Sequence, residues 1–228
     1  DIPAIAAIAH DKGAVVMMDN TWATPLYFPA FDRGVDLSIQ AGTKYIGGHS
    51  DIMFGTVSAN AATWPRLKET VTTYGLCAGP DDIYLALRGL RTMAVRLERH
   101  QKSAIEIAQW FERRPEVLRV LHPALPGNPG HAIWQRDFSG ASGLFSIVLK
   151  PMPEAALHAF CDALTLFGMG FSWGGYESLV IIFDCTAYRT ATPWAPGGPC
   201  LRFHIGLEDT SDLIADLEHG FATMKQKV

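Results

Sequence analysis

Two short strand-like runs near the start of the chain each lead to a charged side chain. Residues 13–18 form a continuous apolar run before Asp19, and residues 35–40 alternate apolar and polar side chains before Lys44. A short continuous apolar run after a helical pattern is typical of a strand buried on both faces of a parallel sheet, and alternation is typical of a half-buried strand. The two runs therefore predict strands of an α/β fold.

Asp19 is predicted at the carboxyl end of its strand. Ligands of open α/β sheets collect at that edge, so a carboxylate there can meet a cofactor without crossing the core. Opposite a ring nitrogen, it would hold the ring protonated. The alternative interpretation is a helix or turn cap that Asn20 and Thr21 help to form, and this is the commoner use of an isolated Asp-Asn-Thr.

Lys44 is the second candidate for chemistry. A lysine amine is protonated at neutral pH, but one that is desolvated beside cationic or apolar groups loses its proton and can bond covalently to a carbonyl carbon. The alternative is an exposed lysine in a polar loop, which is the more frequent environment for this residue. Gly42, Gly47 and Gly48 allow backbone conformations that other residues avoid, and Thr43 adds a hydroxyl suited to binding phosphate.

Several contiguous motifs run along the chain. Residues 19–23 read Asp-Asn-Thr-Trp-Ala, and residues 42–51 read Gly-Thr-Lys-Tyr-Ile-Gly-Gly-His-Ser-Asp. Further motifs lie at residues 122–127, 140–146, 172–178 and 201–209. In sequence and order, these motifs resemble the cysteine/methionine metabolism family of pyridoxal phosphate (PLP) enzymes. The resemblance covers essentially the whole chain. It implies a PLP-dependent transferase-like fold of the aspartate aminotransferase type (fold type I), with part of the large α/β domain and a smaller α+β domain.

The resemblance also implies roles for individual residues. Lys44 would carry PLP covalently and act as the catalytic base, and Asp19 would pair with the pyridine nitrogen. Thr43 would contact the phosphate through its hydroxyl, and Gly42 through its backbone amide. The resemblance further assigns the substrate α-carboxylate to Arg202, with Ser172 and Trp173 beside the cofactor and that carboxylate.

Three aromatic residues favour the β-lyase branch of the family. The γ-acting relatives typically read Ser-Leu-Gly-Gly-Val-Glu-Ser where this chain carries Trp173 and Tyr176, and they usually carry phenylalanine at the position of Trp22. The implied reaction is cleavage of L-cystathionine to homocysteine, pyruvate and ammonia, a step of methionine biosynthesis. Two alternatives stay open. One is a relative that acts at the γ carbon or on cysteine, and the other is a non-catalytic fragment that retains the fold.

Arg202 has a structural argument of its own. Apolar residues alternate with Arg202 and His204 over residues 200–205, which predicts a strand with both polar side chains on one face. A planar guanidinium offers two parallel donors to a carboxylate and so orients an amino acid as a lysine cannot. The alternative is that this face is exposed to solvent.

Charge and composition exclude several classes of protein. The chain of 228 residues is 48% hydrophobic and 18% charged, with a net charge of -4, which suits one or two globular domains and disfavours a nucleic-acid-binding protein. No apolar run is long enough to span a membrane and no signal peptide opens the chain, so we expect a cytoplasmic protein. Four arginines on one helical segment predict a solvated or intersubunit face: Arg88, Arg91, Arg96 and Arg99.

Metal binding is not expected. The cysteines are widely spaced and are expected to be reduced thiols, and the histidines lack the spacing of metal ligands. The residues considered are Cys77, Cys161, Cys185, Cys200, His49, His122 and His131.

The chain opens on a helical pattern at Ile2 with no initiator methionine, as the carboxyl-terminal part of a longer protein would. We therefore expect the N-terminal half of the same protein as a partner, and the resemblance implies a homo-oligomer, a dimer of dimers.

Two domains are expected, with residues 1–90 completing the PLP-binding large domain and residues 91–228 forming the small domain. Residues 81–113 predict a long helix or a helix pair, and residues 154–166 and 211–225 predict further helices. Residues 117–120, 143–149 and 201–205 predict strands, and residues 184–199 a loop near the active-site mouth. In the last helix, an apolar stripe predicts core packing by Leu213, Leu217, Phe221 and Met224.

Overall fold

The structure, a computed structural model, describes residues 1–227 and contains eight α-helices and eight β-strands within them. In chain order the elements are α1 (Ile2–Asp11), β1 (Met17–Asp19), α2 (Thr24–Tyr27), β2 (Leu37–Ala41), β3 (Gly55–Ala59), α3 (Trp64–Tyr74), α4 (Pro80–Leu90), α5 (Met93–Glu112), β4 (Val117–Leu121), α6 (His131–Asp137), β5 (Leu144–Leu149), α7 (Glu154–Ala163), β6 (Gly168–Met169), β7 (Leu179–Phe183), β8 (Cys200–His204) and α8 (Thr210–Lys225).

The chain forms two compact units. The first contains residues 1–97 and 132–141, and the second contains residues 98–131 and the described chain from residue 142 onward. The expected division into residues 1–90 and 91–228 stays a prediction about the domains of the full protein.

A three-stranded sheet organises the first unit. The strand β1 pairs with β2 in parallel, with Asp19 opposite Ile39, and β2 pairs with β3 in antiparallel orientation. The prediction that the first strand is buried on both faces is wrong, because Met17 is 67% exposed. Met17 and its partner Leu37 instead line an open cleft of about 270 Å³, which the described residues do not close.

Helix α1 packs its small side chains into the core of this unit. Asp1 caps the helix by accepting a hydrogen bond from the Ala4 N–H at 3.1 Å, and Pro3 lies in the first turn, where a missing N–H is tolerated. Ala6 then contacts a core cluster with Val16, Ala23, Phe28, Ala30 and Val35. This core supports β1 from one side and thereby places the end of that strand.

The second unit is built on a five-stranded sheet in the order β4-β5-β8-β7-β6, in which only β6 and β7 pair in parallel. Helices α7 and α8 contribute to one large apolar core with this sheet. The predicted apolar stripe of the last helix is confirmed as core: Leu213, Leu217, Phe221 and Met224 are buried. The central position of β8 places Arg202 between Ser146 of β5 and Ile181 of β7.

The predicted helix or helix pair over residues 81–113 is a pair. Helix α4 ends at Leu90, and the Thr92 N–H and hydroxyl both donate to the Gly89 carbonyl before α5 begins at Met93. Strand β7 is not among the predicted strands. The segment 184–199 contains no helix or strand, as predicted.

His122 is a buried histidine that lowers the stability of the fold in acid. Its Nδ1 accepts from the Ala124 N–H at 3.1 Å, and burial lowers its pKa to about 4. Between that pKa and the ordinary value near 6.5 the unfolded chain binds the proton and the folded chain does not, so stability falls as the pH is lowered through this range. We expect His122→Asn, whose side-chain oxygen can still accept from Ala124, to remove about 2–3 kcal/mol of the stability loss between pH 7 and pH 4.5.

Urea unfolding at the two pH values measures this effect. The exposed His219 of α8 provides the matched control, and His219→Asn should leave the pH dependence as in the wild type. An unchanged pH dependence in His122→Asn would show that His122 is protonated at the same pH in both states.

Candidate active site

Two adjacent parallel strands bring the two charged candidates to one edge of the sheet. Strand β1 ends at Asp19, and β2 ends at Ala41, three residues before Lys44. The Asn20 N–H donates to the Ile39 carbonyl at 2.9 Å and continues the pairing one residue beyond β1. Both side chains therefore follow the carboxyl ends of neighbouring parallel strands, the edge at which α/β sheets bind ligands.

Thr21 orients the carboxylate of Asp19. The Thr21 N–H donates to Asp19 Oδ1 at 2.9 Å, and the Thr21 hydroxyl donates to the same oxygen. The Ala41 N–H donates to the Thr21 hydroxyl oxygen at 2.8 Å, which ties the end of β2 to the turn after β1. The turn-cap interpretation of Asp19 is thus correct locally. It does not exclude a ligand, because Asp19 is exposed and neither bond uses Oδ2.

The lysine lies in a compact turn held by its own backbone. The Lys44 N–H donates to the Ala41 carbonyl at 2.9 Å. The Gly47 N–H donates to the Gly42 carbonyl at 2.8 Å, and the Gly48 N–H donates to the Lys44 carbonyl at 2.7 Å. Gly48 has a φ of +72°, in the left-handed region that favours glycine. Lys44 itself is half-buried. The turn over residues 42–48, called here the lysine turn, therefore presents Lys44 from a defined backbone.

Phe54 packs against the start of the lysine turn. The Thr43 hydroxyl accepts from the Phe54 N–H at 2.9 Å and contacts the Phe54 carbonyl at 3.3 Å. A Cβ on Gly42 would lie 2.5 Å from a ring carbon of Phe54, so a larger residue there would displace the Phe54 ring. These contacts give Gly42 and Thr43 structural roles in the lysine turn. The predicted contacts of Gly42 and Thr43 with a phosphate stay predictions.

A solvated or an intersubunit face was predicted for the four arginines, and the solvated face is wrong for Arg96. It is 6% exposed, whereas Arg88 and Arg91 are exposed. Its Nη2 donates to the Gly89 carbonyl at 2.8 Å and contacts the Ile46 carbonyl at 3.4 Å. Burial lowers the pKa of this guanidinium from its ordinary value. The spacing of the arginines did not separate Arg96 from its exposed neighbours, because its role depends on a turn 50 residues away.

The second unit carries the candidates for substrate binding. Arg202 is half-buried at the centre of β8, and burial lowers its pKa. Its Nη2 donates to the Phe171 carbonyl, and its Cζ lies 5.1 Å from the centroid of the Phe171 ring. The alternative of a solvent-exposed face is wrong for His204, which is 1% exposed.

Ser172 and Trp173 lie in the loop between β6 and β7. His204 holds the next two residues, with its Nε2 3.1 Å from the Gly174 nitrogen and 3.0 Å from the Gly175 oxygen. Ser172 is exposed and Trp173 is half-buried. The structure thus groups the substrate candidates of the second unit around β8.

Sequence reasoning gave no supporting role to Arg96, His204 or Glu208, and it indicated Thr21 only as part of a possible cap at Asp19. Glu208 accepts hydrogen bonds from the Ser178 N–H at 2.7 Å and hydroxyl at 2.8 Å, and so closes the loop that carries Trp173. Only Thr21 had a local signal, since an Asp-x-Thr spacing is typical of an Asx turn.

Among the described residues, no group of histidine, cysteine or acidic side chains has an arrangement suited to a metal ion. The cysteines there are free thiols. No helix in the described part of the chain is both long and apolar enough to cross a membrane.

The residues of the first unit fit PLP by their chemistry. A carboxylate at a sheet edge suits a protonated ring nitrogen, and a half-buried lysine in a hydrogen-bonded turn suits an aldehyde carbon. The orientation of Asp19 by two donors supports this fit, because a carboxylate held in one position can pair with one ring atom.

Solved structures place the fold in the PLP-dependent fold-type I class. The structure of cystathionine gamma synthase from Xanthomonas oryzae pv. oryzae in complex with cystathionine matches with a TM-score of 0.90 and 35% identity, over 100% of this chain and 60% of that one. The model of the Cys/Met metabolism PLP-dependent enzyme family matches residues 1–222. The chain belongs to this family, whose cofactor is pyridoxal 5'-phosphate.

Within the family, two similar curated relatives are cystathionine beta-lyases. The cystathionine beta-lyase of Salmonella typhimurium is 50% identical over 97% of this chain and 58% of its own length. The cystathionine beta-lyase MetC of Escherichia coli is 47% identical over the same shares. The chain therefore spans somewhat more than half the length of these relatives.

Replacing Thr21 tests the network that orients Asp19. We expect Thr21→Val to destabilise the protein by about 1–3 kcal/mol, because it leaves the Ala41 N–H without its acceptor and removes one donor from Asp19. Thr21→Ser retains the hydroxyl and serves as the matched control. Urea denaturation of both variants measures the difference, and equal midpoints would show that the hydroxyl contributes nothing to stability.

Proposed function

We propose that the full protein containing this chain is a PLP-dependent carbon–sulfur β-lyase that cleaves L-cystathionine in methionine biosynthesis. With one water, the products are homocysteine, pyruvate and ammonia. The observation that carries the proposal is the placement of Asp19 and Lys44 at the ends of adjacent parallel strands, in a chain 50% identical to a cystathionine beta-lyase.

The residues of the first unit act on two protons, one on the ring nitrogen of the cofactor and one on the α carbon of the substrate. Thr21 holds the Asp19 carboxylate in one orientation, so that it can stabilise a proton on the ring nitrogen. The Lys44 amine binds the cofactor and, when released, removes the proton from the substrate α carbon. When bound, PLP supplies an electron sink for the pair left on that carbon.

The residues of the second unit orient the substrate. The Arg202 guanidinium can pair with the substrate α-carboxylate through two parallel donors, which sets the angle of the bond to be broken. For this, Arg202 releases the Phe171 carbonyl that it now binds. Ser172 and Trp173 line the substrate from a loop that His204 and Glu208 hold.

A second candidate function is chemistry at the γ carbon or on cysteine. The similarity to a cystathionine gamma synthase favours it, at 35% identity. Trp173 and Tyr176 favour the β-lyase, because the γ-acting relatives typically carry other residues there. Pyruvate as the keto acid product supports β-elimination, and 2-oxobutanoate supports γ-elimination. A fragment that retains the fold without turnover would produce neither.

The proposal includes partners and a location. We propose that the active protein contains an N-terminal half in addition to this chain, assembles as a dimer of dimers, and works in the cytoplasm. An intact mass measured on an active, purified sample tests the first point. A mass equal to that of residues 1–228 alone, with activity, contradicts it.

Lys44→Ala should abolish turnover in the full protein, because it removes both the cofactor anchor and the proposed base. The absorption band of lysine-bound PLP in the violet region should disappear as well. Visible spectroscopy and pyruvate release with L-cystathionine measure both effects. Lys102→Ala, which removes an exposed lysine of α5, is the control and should retain both. A near-normal rate in Lys44→Ala would refute the mechanism.

Arg202→Ala should reduce kcat/KM for L-cystathionine by an amount equivalent to about 2–5 kcal/mol, because a desolvated ion pair to the carboxylate is lost. Arg202→Lys retains the charge but not the two parallel donors, so we expect only partial recovery. Steady-state kinetics measure these values, with Arg113→Ala at an exposed position as the control. Unchanged kcat/KM in Arg202→Ala would remove Arg202 from the substrate site.

A further inference from the structure

We propose that Arg96 is a positioning residue that clamps the lysine turn and thereby sets the orientation of Lys44. The catalytic meaning of this role rests on the proposed function, whereas the clamp itself is a property of the fold. Arg96 lies in α5, 52 positions after Lys44, and its contacts are to the backbone of the lysine turn and to the end of α4.

The guanidinium bonds to three partners from two of its nitrogens. Its Nε donates to the Thr92 hydroxyl at 3.1 Å, and its Nη2 donates to the Gly89 carbonyl at 2.8 Å and contacts the Ile46 carbonyl at 3.4 Å. Thr92 also donates to Gly89 through its N–H and its hydroxyl. One planar group therefore connects the junction of α4 and α5 to the lysine turn.

Two glycines allow this contact to form directly with backbone. A Cβ on Gly48 would lie 2.0 Å from Arg96 Nη1, and a Cβ on Gly89 would lie 2.2 Å from the Ile46 carbonyl oxygen and 2.4 Å from that of Gly47. The guanidinium and the end of α4 thus press against residues 46–48 with no side chain between them. Since the Gly48 N–H donates to the Lys44 carbonyl, the clamp acts on the residue that carries the chemistry.

Simple packing does not account for an arginine at this position. Within residues 1–227 no carboxylate forms an ion pair with Arg96, and burial lowers the pKa of its guanidinium. A buried charge without an ionic partner opposes folding, and an apolar side chain of similar volume avoids that cost. The carbonyls of Gly89 and Ile46 are the groups that an apolar side chain cannot hold.

Amide exchange in the PLP-free full protein tests the clamp directly. The probes are the N–H groups of Gly47 and Gly48, which close the lysine turn, and the reference is the Asn60 N–H, bonded to the Asp36 carbonyl at 2.9 Å. In Arg96→Met we expect Gly47 and Gly48 to exchange at least tenfold faster relative to Asn60. In the matched control Leu97→Ala, which removes a fully buried side chain from the same helix, this ratio should stay as in the wild type.

Cofactor binding gives the second readout. Arg96→Met should raise the dissociation constant of PLP at least tenfold and shift the pH at which the band of lysine-bound PLP titrates, whereas Leu97→Ala should change neither. A wild-type exchange ratio in Arg96→Met overturns the clamp. Where Arg96→Met does not fold, Arg96→Lys takes its place: one ammonium cannot hold the same three partners in a plane, so we expect an exchange ratio at least threefold above the wild type, and an unchanged ratio overturns the proposal.

The failure of the proposed function has a different signature. A wild-type full protein that forms no PLP band and releases no keto acid refutes the lyase assignment. The exchange ratio of Arg96→Met in PLP-free protein still decides whether Arg96 clamps the lysine turn.

Discussion

The parallel pairing of β1 with β2 is the constraint on which the rest of the candidate site depends. Parallel strands end at the same edge, so this pairing places the turn after Asp19 beside the turn that carries Lys44. The bond from the Ala41 N–H to Thr21 joins the two strand ends, and the two bonds from Thr21 fix the carboxylate. A register shift of one residue would turn Asp19 to the opposite face and disconnect this network.

In each unit, the candidate residues are supported largely by backbone contacts between distant segments. In the first unit, Gly42 fits against Phe54, and Gly89 and Arg96 fit against residues 46–48. In the second unit, His204 and Glu208 hold the loop that carries Trp173. Such contacts require residues without a Cβ or with several donors at particular positions. These contacts hold the backbone of the turn and of the loop from which the candidate side chains project.

Much of the architecture followed from local pattern. Alternation predicted β2, the apolar stripe of α8 predicted its buried face, and the Asp-x-Thr spacing was compatible with the turn observed at Asp19. Other features did not follow. Alternation did not show that Ser38 and Gln40 are the more buried side chains of β2, and the continuous apolar run before Asp19 did not show that Met17 is exposed. Burial depends on which elements cover each face of a sheet, and this information is not local.

By itself, the sequence determined the family, the positions of Asp19 and Lys44 at strand ends, and the candidate residues Arg202, Ser172 and Trp173. Each of these residues lies in a contiguous motif, and a contiguous motif can be recognised from the sequence alone because its residues are neighbours in the chain. Only the tertiary structure decided that the Ala41 N–H bonds to the Thr21 hydroxyl, that Arg96 is buried against the lysine turn, and that His204 is buried against the loop of Trp173. These are contacts between residues 20 to 50 positions apart, and their distances are set by the packing of the sheets and helices.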